Sequence, residues 1–512
     1  MPIVTPNSTI YFCNVPWDST YKFICDGATN ATILATSVAV QKSNYSYQRK
    51  DSKITVGYSV DELLGVNYVA YKNINHEDKR FYAFVESIEY INENRTDLII
   101  RTDVYQTWRG DFTFGQSFVV REHVDTDTIG LHTVNEGLET GEYLKASVTT
   151  WTELNDLAVI VGVTQDSADP ANDIAGRIYN GVFSGVGYVP FFGLNYDDTL
   201  RTFLAGYDAT AKASAIVVIF TYPAALLPAA AVSGSLLAED SIFSTYISKT
   251  VTINNVDIDG YTPKNKKLFS HPYNYLHASN LQGQSVDFQL EKFHGGYPGT
   301  VTFIAKGCMI PGARIACYTD DYKVNDKNSY EEVLTLANYP LSNWASDAWL
   351  NWIGQNALGV FSTGAASALS IGVGVATAQP LAIAGGAIGV ISQLSTIYQK
   401  SIEPPSVNGN INNSTINIAM GIQHFAFYQV QITSEFAQII DEFFTMFGYK
   451  INRVKTPLLA GRAQWNYLQT VDCMVKGGIP EEDRKQIQNI FNSGVTVWHN
   501  QANIGNYSLT NS

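Results

Sequence analysis

The chain has 512 residues, 47 of them acidic against 33 basic, for a formal net charge of -14, and 12% are aromatic. At this length one core usually gives way to two or three domains, and abundant Tyr and Phe favour strands, so a mainly β (α+β) class is expected. The acidity opposes adhesion to nucleic-acid phosphates or anionic head groups, which sets aside a DNA-gripping function.

The opening residues, MPIVTPNSTIYF, lack the charged and apolar regions of a signal peptide, so cytosolic synthesis is expected. Residues 80–92 alternate, with Phe84, Ile88 and Tyr90 on one face, and residues 98–107 alternate again, with Leu98, Ile100 and Val104 opposed to Arg101 and Asp103. Polar residues between them predict a hairpin. Arg109, Gly110 and Asp111 form an integrin-type tripeptide, a pattern short enough to recur by chance. From Phe118 the sequence turns acidic and rich in Thr and Gly, which reads as a solvated connection or a subunit contact. His123, between Glu122 and Asp125, reads as a satisfied surface histidine, because adjacent side chains seldom converge on one metal ion. The cysteines, Cys13, Cys25, Cys308, Cys317 and Cys473, show no CxxC spacing, so neither a disulfide framework nor a zinc site is signalled.

Apolar runs over 157–163 and 215–220 flank a helical pattern over 198–212, a strand-helix-strand insertion that reads as a small α/β subdomain spanning about 155–222. The loop before it holds Asp166, Asp169 and Asp173 but lacks the closing bidentate Glu of a calcium ladder. Strand character returns over 251–340, with Gly and Pro turns. No phosphate loop, HExxH, GxSxG or Walker signature occurs, so the expectation is a non-enzyme without cofactor or metal.

Residues 348–399 contain no Asp, Glu, Lys or Arg. Gln379 and Pro380 divide them into two arms, each close to the ~20 apolar residues that a helix needs to cross a bilayer. The approach and first arm offer Trp349, Leu350, Trp352, Ile353, Leu358, Val360, Phe361, Leu369, Ile371, Val373 and Val375 as membrane-active side chains. The second arm adds Pro380, Leu381, Ile383, Ile388, Val390, Ile391 and Leu394. Small residues at four-residue spacing, Ala368, Gly372 and Ala376, then Gly385 and Gly389, permit close helix approach both in a soluble plug and in lipid. A buried helical hairpin is the plain alternative, although each Gly costs a helix ~1 kcal/mol relative to Ala. Trp344, Trp349 and Trp352 at the entrance suit core packing and interfacial anchoring alike.

A polar, Asn-rich stretch over 401–417 precedes strand-like alternation over 418–433. Ser434 then caps a helix with Phe436, Ile439, Ile440, Phe443, Phe444 and Phe447 on one stripe and Glu435, Asp441 and Glu442 opposite, ended by Gly448. Without cations on its polar face, the helix reads as packed core and not as a membrane-surface element. Pro480 at the first helical position and the acids after it predict a last helix, with Ile487, Ile490 and Phe491 buried and Gly494 as its stop.

Five dispersed stretches carry a resemblance: IEYINENRTDLIIRTDVYQTW (88–108), SFVVREHVDTDTIG (117–130), NKKLFSHPYNYLHASNLQG (265–283), NYPLSNWASDAWLNWIGQN (338–356) and RAQWNYLQTVDCMVKGGIPEEDRKQIQNIFNSGVTVWH (462–499). In content and order the chain resembles the tail-knob, or lower tail tube, proteins of small short-tailed phages of Gram-positive bacteria, the Salasmaviridae type. The resemblance implies a homohexameric tube of β-barrel or sandwich domains at the distal tip of the virion tail. It also implies that a long apolar loop from each subunit plugs the lumen and then leaves, giving the genome a passage across the host cytoplasmic membrane. On that reading 1–120 and 418–512 make the tube domain, 121–340 a β domain bearing the insertion, and 341–417 the loop. Its partners would be its own copies, other tail proteins, the host membrane, and phage DNA that passes without specific binding. Two other classes stay in view: a secreted pore-forming toxin, which would need a secretion route, and a cell-wall hydrolase, which would need paired carboxylates or a Cys/His or metal constellation.

Overall fold

The computed structural model describes residues 9–42, 45–48, 52–72, 79–165, 177–179, 182–184, 186–194, 196–209, 215–238, 245–307, 309, 311, 314–319, 321–322, 332–337, 339, 341–343 and 424–511. Two units divide the chain, which passes between them four times: Met1–Gly141, Gly260–Pro272 and Thr433–Ser512 form the first, Glu142–Asp259 and Tyr273–Ile432 the second. Both are mainly β.

In the first unit a seven-stranded antiparallel sheet runs in the spatial order Ser37–Lys42, Thr9–Cys13, Tyr68–Lys72, Arg80–Asn92, Arg95–Thr102, Lys53–Val56, Ser46–Gln48. The sheet curls. Tyr58, in the loop after Lys53–Val56, donates its hydroxyl to the Val40 carbonyl on the opposite edge strand (2.8 Å), and Gly57 N–H reaches Gln41 Oε1 (3.0 Å). Ile10, Phe12, Ile54, Val69, Leu98 and Ile100 fill one core cluster of this sheet.

The expected hairpin forms, with Ile88 opposite Leu98, but its second strand stops at Thr102 instead of continuing to Thr107. Asp103 turns the chain: its carboxylate accepts from Gln106 N–H (3.1 Å) and caps a short helix, Val104–Trp108. A side chain that satisfies an otherwise unpartnered helical N–H competes with strand continuation. Asp103 is therefore buried and not on an outer face, it also takes the Tyr68 hydroxyl (2.8 Å), and burial pushes its carboxyl above the usual range.

The unit's second sheet is mixed, in the order Phe23–Cys25, Val495–Trp498, Trp465–Val471, Ser117–Glu122, Tyr449–Lys455, with the first pair parallel. Ser117–Glu122, read from sequence as the start of a solvated loop, is an interior strand here, because Val119 enters the core with Leu468 and Val497. Helix Glu481–Ser493 packs Ile487, Ile490 and Phe491 into the same cluster, with Pro480 as its cap, one position earlier than expected. In helix Ser434–Phe447 the N-cap position falls on Thr433, without a side-chain capping bond, and Ser434 is the first helical residue. Gly448 ends it at φ +64, where an added Cβ would lie 2.3 Å from the Glu122 carbonyl oxygen, so only glycine fits.

The second unit has three four-stranded antiparallel sheets: Tyr143–Thr150, Ala426–Ile432, Asn274–Ser279, Ser285–Phe288; then Tyr246–Thr252, Thr300–Gly307, Ile315–Tyr318, Leu334–Leu336; then Gly187–Phe191, Leu157–Val163, Ile216–Pro223, Leu341–Asn343. All three feed one core that includes Trp151, Phe220, Leu276, Phe303 and Phe427, with the Phe303 and Phe427 rings stacked at 4.2 Å. The expected strand-helix-strand elements form around helix Tyr196–Ala209, their two strands as antiparallel neighbours with Ile160 opposite Phe220. Among the described residues no helix is long and apolar enough to cross a membrane.

Candidate functional site: the stems of the apolar segment

Every side chain assigned to membrane activity, Trp349 through Leu394, lies outside the described residues, as do Trp344, Asp166, Asp169, Asp173 and Cys308. The structure places the two points where the chain leaves for that segment and returns from it, both in the second unit.

The chain leaves on Leu341–Asn343, a three-residue edge strand paired with Val218–Phe220. Just upstream, Leu334–Leu336 is the edge of a different sheet and pairs with Ile315–Cys317. Its outer side is met by side chains. Gln284 Oε1 accepts from Thr335 N–H (2.8 Å) while its Nε2 donates to the Val333 carbonyl (3.1 Å). Gln282 makes the same pair of bonds with Ala337, both at 3.1 Å, and Asn280 Nδ2 donates to the Thr335 carbonyl (2.6 Å).

The return is built differently. His424 and Phe425 lead into Ala426–Ile432, an interior strand flanked by Tyr143–Thr150 and Asn274–Ser279. Trp151 N–H donates to the Phe425 carbonyl (2.8 Å), and its indole packs on the rings of Phe425 and Phe427. His424 Nδ1 accepts from Asn155 Nδ2 (3.1 Å), and burial pushes the imidazole pKa down, so the ring stays neutral. Gln429 satisfies its buried amide on Asn254 and Asn274: Nε2 donates to the Asn254 carbonyl (2.8 Å) and to Asn274 Oδ1 (3.0 Å), and Oε1 accepts from Asn254 N–H (2.8 Å). Both ends of the stretch that contains the uncharged run 348–399 are thus seated beside one apolar core. The stem residues Trp151, Gln282, Gln284 and His424 were not singled out from sequence; the closely spaced amides over 280–284 were the only signal.

Buried ionisable groups elsewhere are committed to structural bonds. Glu136 pairs with Arg121 and Lys267 and accepts from Lys450 N–H (2.9 Å). Glu122 pairs with Lys455. Asp441, expected on the exposed face of its helix, is buried and accepts from Tyr261 Oη (2.7 Å), Lys264 N–H (2.8 Å) and Asn265 N–H (2.9 Å). His123 is likewise buried and not on the surface: Nδ1 accepts from Tyr467 N–H (2.7 Å), Nε2 donates to the Thr445 carbonyl (3.1 Å), and burial pushes its pKa down to about 4. Arg109 donates to the Asp26 and Ala28 carbonyls and Asp111 pairs with Lys79, which occupies two members of the tripeptide. Cys13, Cys25, Cys317 and Cys473 are buried free thiols. Among the described residues no group of three or more His, Cys, Asp or Glu could hold a metal ion.

Residues 241–512 match the family described as Bacillus phage phi29, tail knob protein gp9, C-terminal domain, and residues 7–113 match the caudoviral major tail protein N-terminus. Tail knob protein gp9 of Bacillus phage phi29 is 26% identical over 545 aligned positions, covering 90% of this chain and 89% of that one. Its counterpart in Bacillus phage PZA is 26% identical, covering 91% and 90%. The solved tail knob protein gp12 of bacteriophage C1 superposes with a TM-score of 0.63 at 15% identity over 99% of each chain, a likeness of fold.

Proposed function

The chain belongs to the phage tail knob proteins, structural components of the tail and not enzymes, and from that premise we propose that six copies form a plugged tube at the tail's distal tip. In this reading the apolar segments block the bore, then leave it and breach the host cytoplasmic membrane as DNA is ejected. The observation that carries the reading is a run of residues, 348–399, without a charged side chain, whose flanking strands are both seated beside one core.

Six such segments gathered in a bore would bury one another, so no subunit would present a large apolar patch to water. Their Gly- and Ala-rich composition suits two environments, because small residues pack closely in either. The net negative charge, repeated around the ring, disfavours adhesion of a passing duplex to the wall. Neither rival gains support: the buried carboxylates Glu122, Glu136 and Asp441 serve structural bonds.

Dye release from liposomes tests the reading. The parent assembly should release dye, whereas a variant lacking residues 348–399 should still assemble as six copies and release none. A deletion variant that leaks as fast as the parent would remove the segment from membrane action, and a stable monomer at micromolar concentration would remove the tube.

A further inference from the structure

The turn between strands Asn274–Ser279 and Ser285–Phe288 grips the strand that leads out towards the apolar segment. In the ladder Leu334, Thr335 and Leu336 lie opposite Cys317, Ala316 and Ile315, and because alternate pairs of an antiparallel ladder leave their backbone groups pointing outward, Thr335 turns its N–H and carbonyl to Gln284 and Asn280. The alternate positions Val333, Thr335 and Ala337 are the ones that Gln284, Gln282 and Asn280 bond. Side-chain amides therefore stand where a fifth strand would pair. The turn is preorganised for this, since Asn280 Oδ1 accepts from the N–H groups of Gln282 and Gln284 at 2.9 Å each, while Leu281 and Gly283 adopt positive φ.

The two stems need this support unequally. The returning strand is held by neighbours on both sides and by the Trp151, Phe425 and Phe427 rings. Among the described residues the departing chain has two successive three-residue edge strands, each with one main-chain neighbour.

We propose that the amide clamp of Asn280, Gln282 and Gln284 on Val333–Ala337 makes the outgoing stem a fixed anchor, so that movement of the apolar segment begins downstream of Ala337. Gln282 and Gln284 act here as positioning residues. The anchoring role rests on the moving-segment reading above, whereas the clamp itself stands on geometry. A capped edge also cannot accept a strand from another copy, which guards the assembly against misplaced pairing.

Hydrogen exchange with mass spectrometry on the assembled protein, read in peptides spanning 333–337, tests the clamp. Thr335 and Ala337 should exchange slowly in the parent and roughly tenfold faster or more in the Gln282→Ala/Gln284→Ala double variant. The Gln282→Glu/Gln284→Glu pair keeps the acceptor oxygens for the Thr335 and Ala337 N–H groups but loses the Nε2 donors to the Val333 and Ala337 carbonyls, so its rate should fall between those of the parent and the Ala variant. Equal exchange in the parent and the Ala variant overturns the clamp, and the Glu variant guards against misreading a folding defect. With vesicles of phosphatidylglycerol and cardiolipin added, the parent should keep 333–337 protected while dye escapes. Loss of that protection in the parent overturns the anchor. Absence of dye escape would instead count against the membrane reading, leaving the vesicle-free comparison to decide the clamp.

Discussion

The two units solve the problem of buried polarity in opposite ways. In the first, Asp103, Glu136, Lys267 and Asp441 are buried with their charges or hydrogen bonds matched, and buried Glu122 pairs with Lys455 through Oε1. In the second, among the described residues, the buried polar side chains are uncharged types, Asn274, Asn280, Gln429, Gln431, Thr221 and Thr319, with His424 kept neutral. The difference follows from how each unit is assembled. Glu136 bonds Lys267 and Lys450 as well as Arg121, so one carboxylate joins all three chain segments of the first unit. Asp441 joins the second and third of those segments again, through Tyr261, Lys264 and Asn265. Apolar contact is indifferent to register, whereas a buried ion pair tolerates one arrangement, so the ionic contacts select how separate segments meet. The second unit relies on stacked aromatics and amides, and its cohesion comes from apolar area.

The contrast can be broken most severely at Glu136. Replacing it with Ala strands Lys267 and Arg121 without their buried partner, and burial already holds the Lys267 pKa below its usual range despite Glu136. A loss of roughly 3–5 kcal/mol is expected in denaturant unfolding, with the earliest exchange gains in 260–272. A loss under about 1 kcal/mol would show that the pairing does not hold the segments.

Acid should weaken the first unit through His123. The folded pKa of His123, about 4, lies below its ordinary value of 6.5, so its contribution is present above about pH 6.5 and disappears as pH falls towards 4. The shift corresponds to roughly 3 kcal/mol. Asp103 and Glu122 run the other way: their raised pKa values mean the fold favours their neutral forms, so they offset part of the slope as pH falls. His123→Gln preserves one acceptor and one donor and should flatten the acid limb of a thermal-unfolding series between pH 7.5 and 4. An unchanged acid limb would dissociate the histidine from the effect.

The smallest effect belongs to the second unit. Ile160→Val removes one methyl from the shared core and should cost about 1 kcal/mol. That cost should be the same at pH 7.5 and pH 4.5, which sharpens the distinction because no charged group is involved.

Elements with strong local signals were legible in the sequence. The hairpin over 80–102, the phenylalanine-rich helix and the last helix appear close to where periodicity and terminal residues put them. Misreadings cluster where a polar residue finds a partner far along the chain. His123 looked like a surface group because Tyr467 and Thr445 are more than 300 positions away, and Asp441 looked solvent-facing because Asn265 is 176 positions away. The Ser117–Glu122 strand was hidden by its acidic context for the same reason, since Lys455 supplies the missing charge. At the candidate site, absence of charge marked the apolar segment plainly. The stems were not marked, because amides that cap an edge have no sequence period of their own.

The interleaving of the two units also dictates an order of events during synthesis. The five-stranded sheet takes strands from Phe23–Cys25, Ser117–Glu122, Tyr449–Lys455, Trp465–Val471 and Val495–Trp498. It cannot close until the last of these leaves the ribosome, by which time residues 348–399 have already emerged. The newborn chain therefore carries its uncharged stretch before three of the five strands of that sheet exist, and such long-range closure is slow. Chaperone occupancy on nascent chains should accordingly peak after residue 399 is exposed and fall once residue 498 has cleared the exit tunnel.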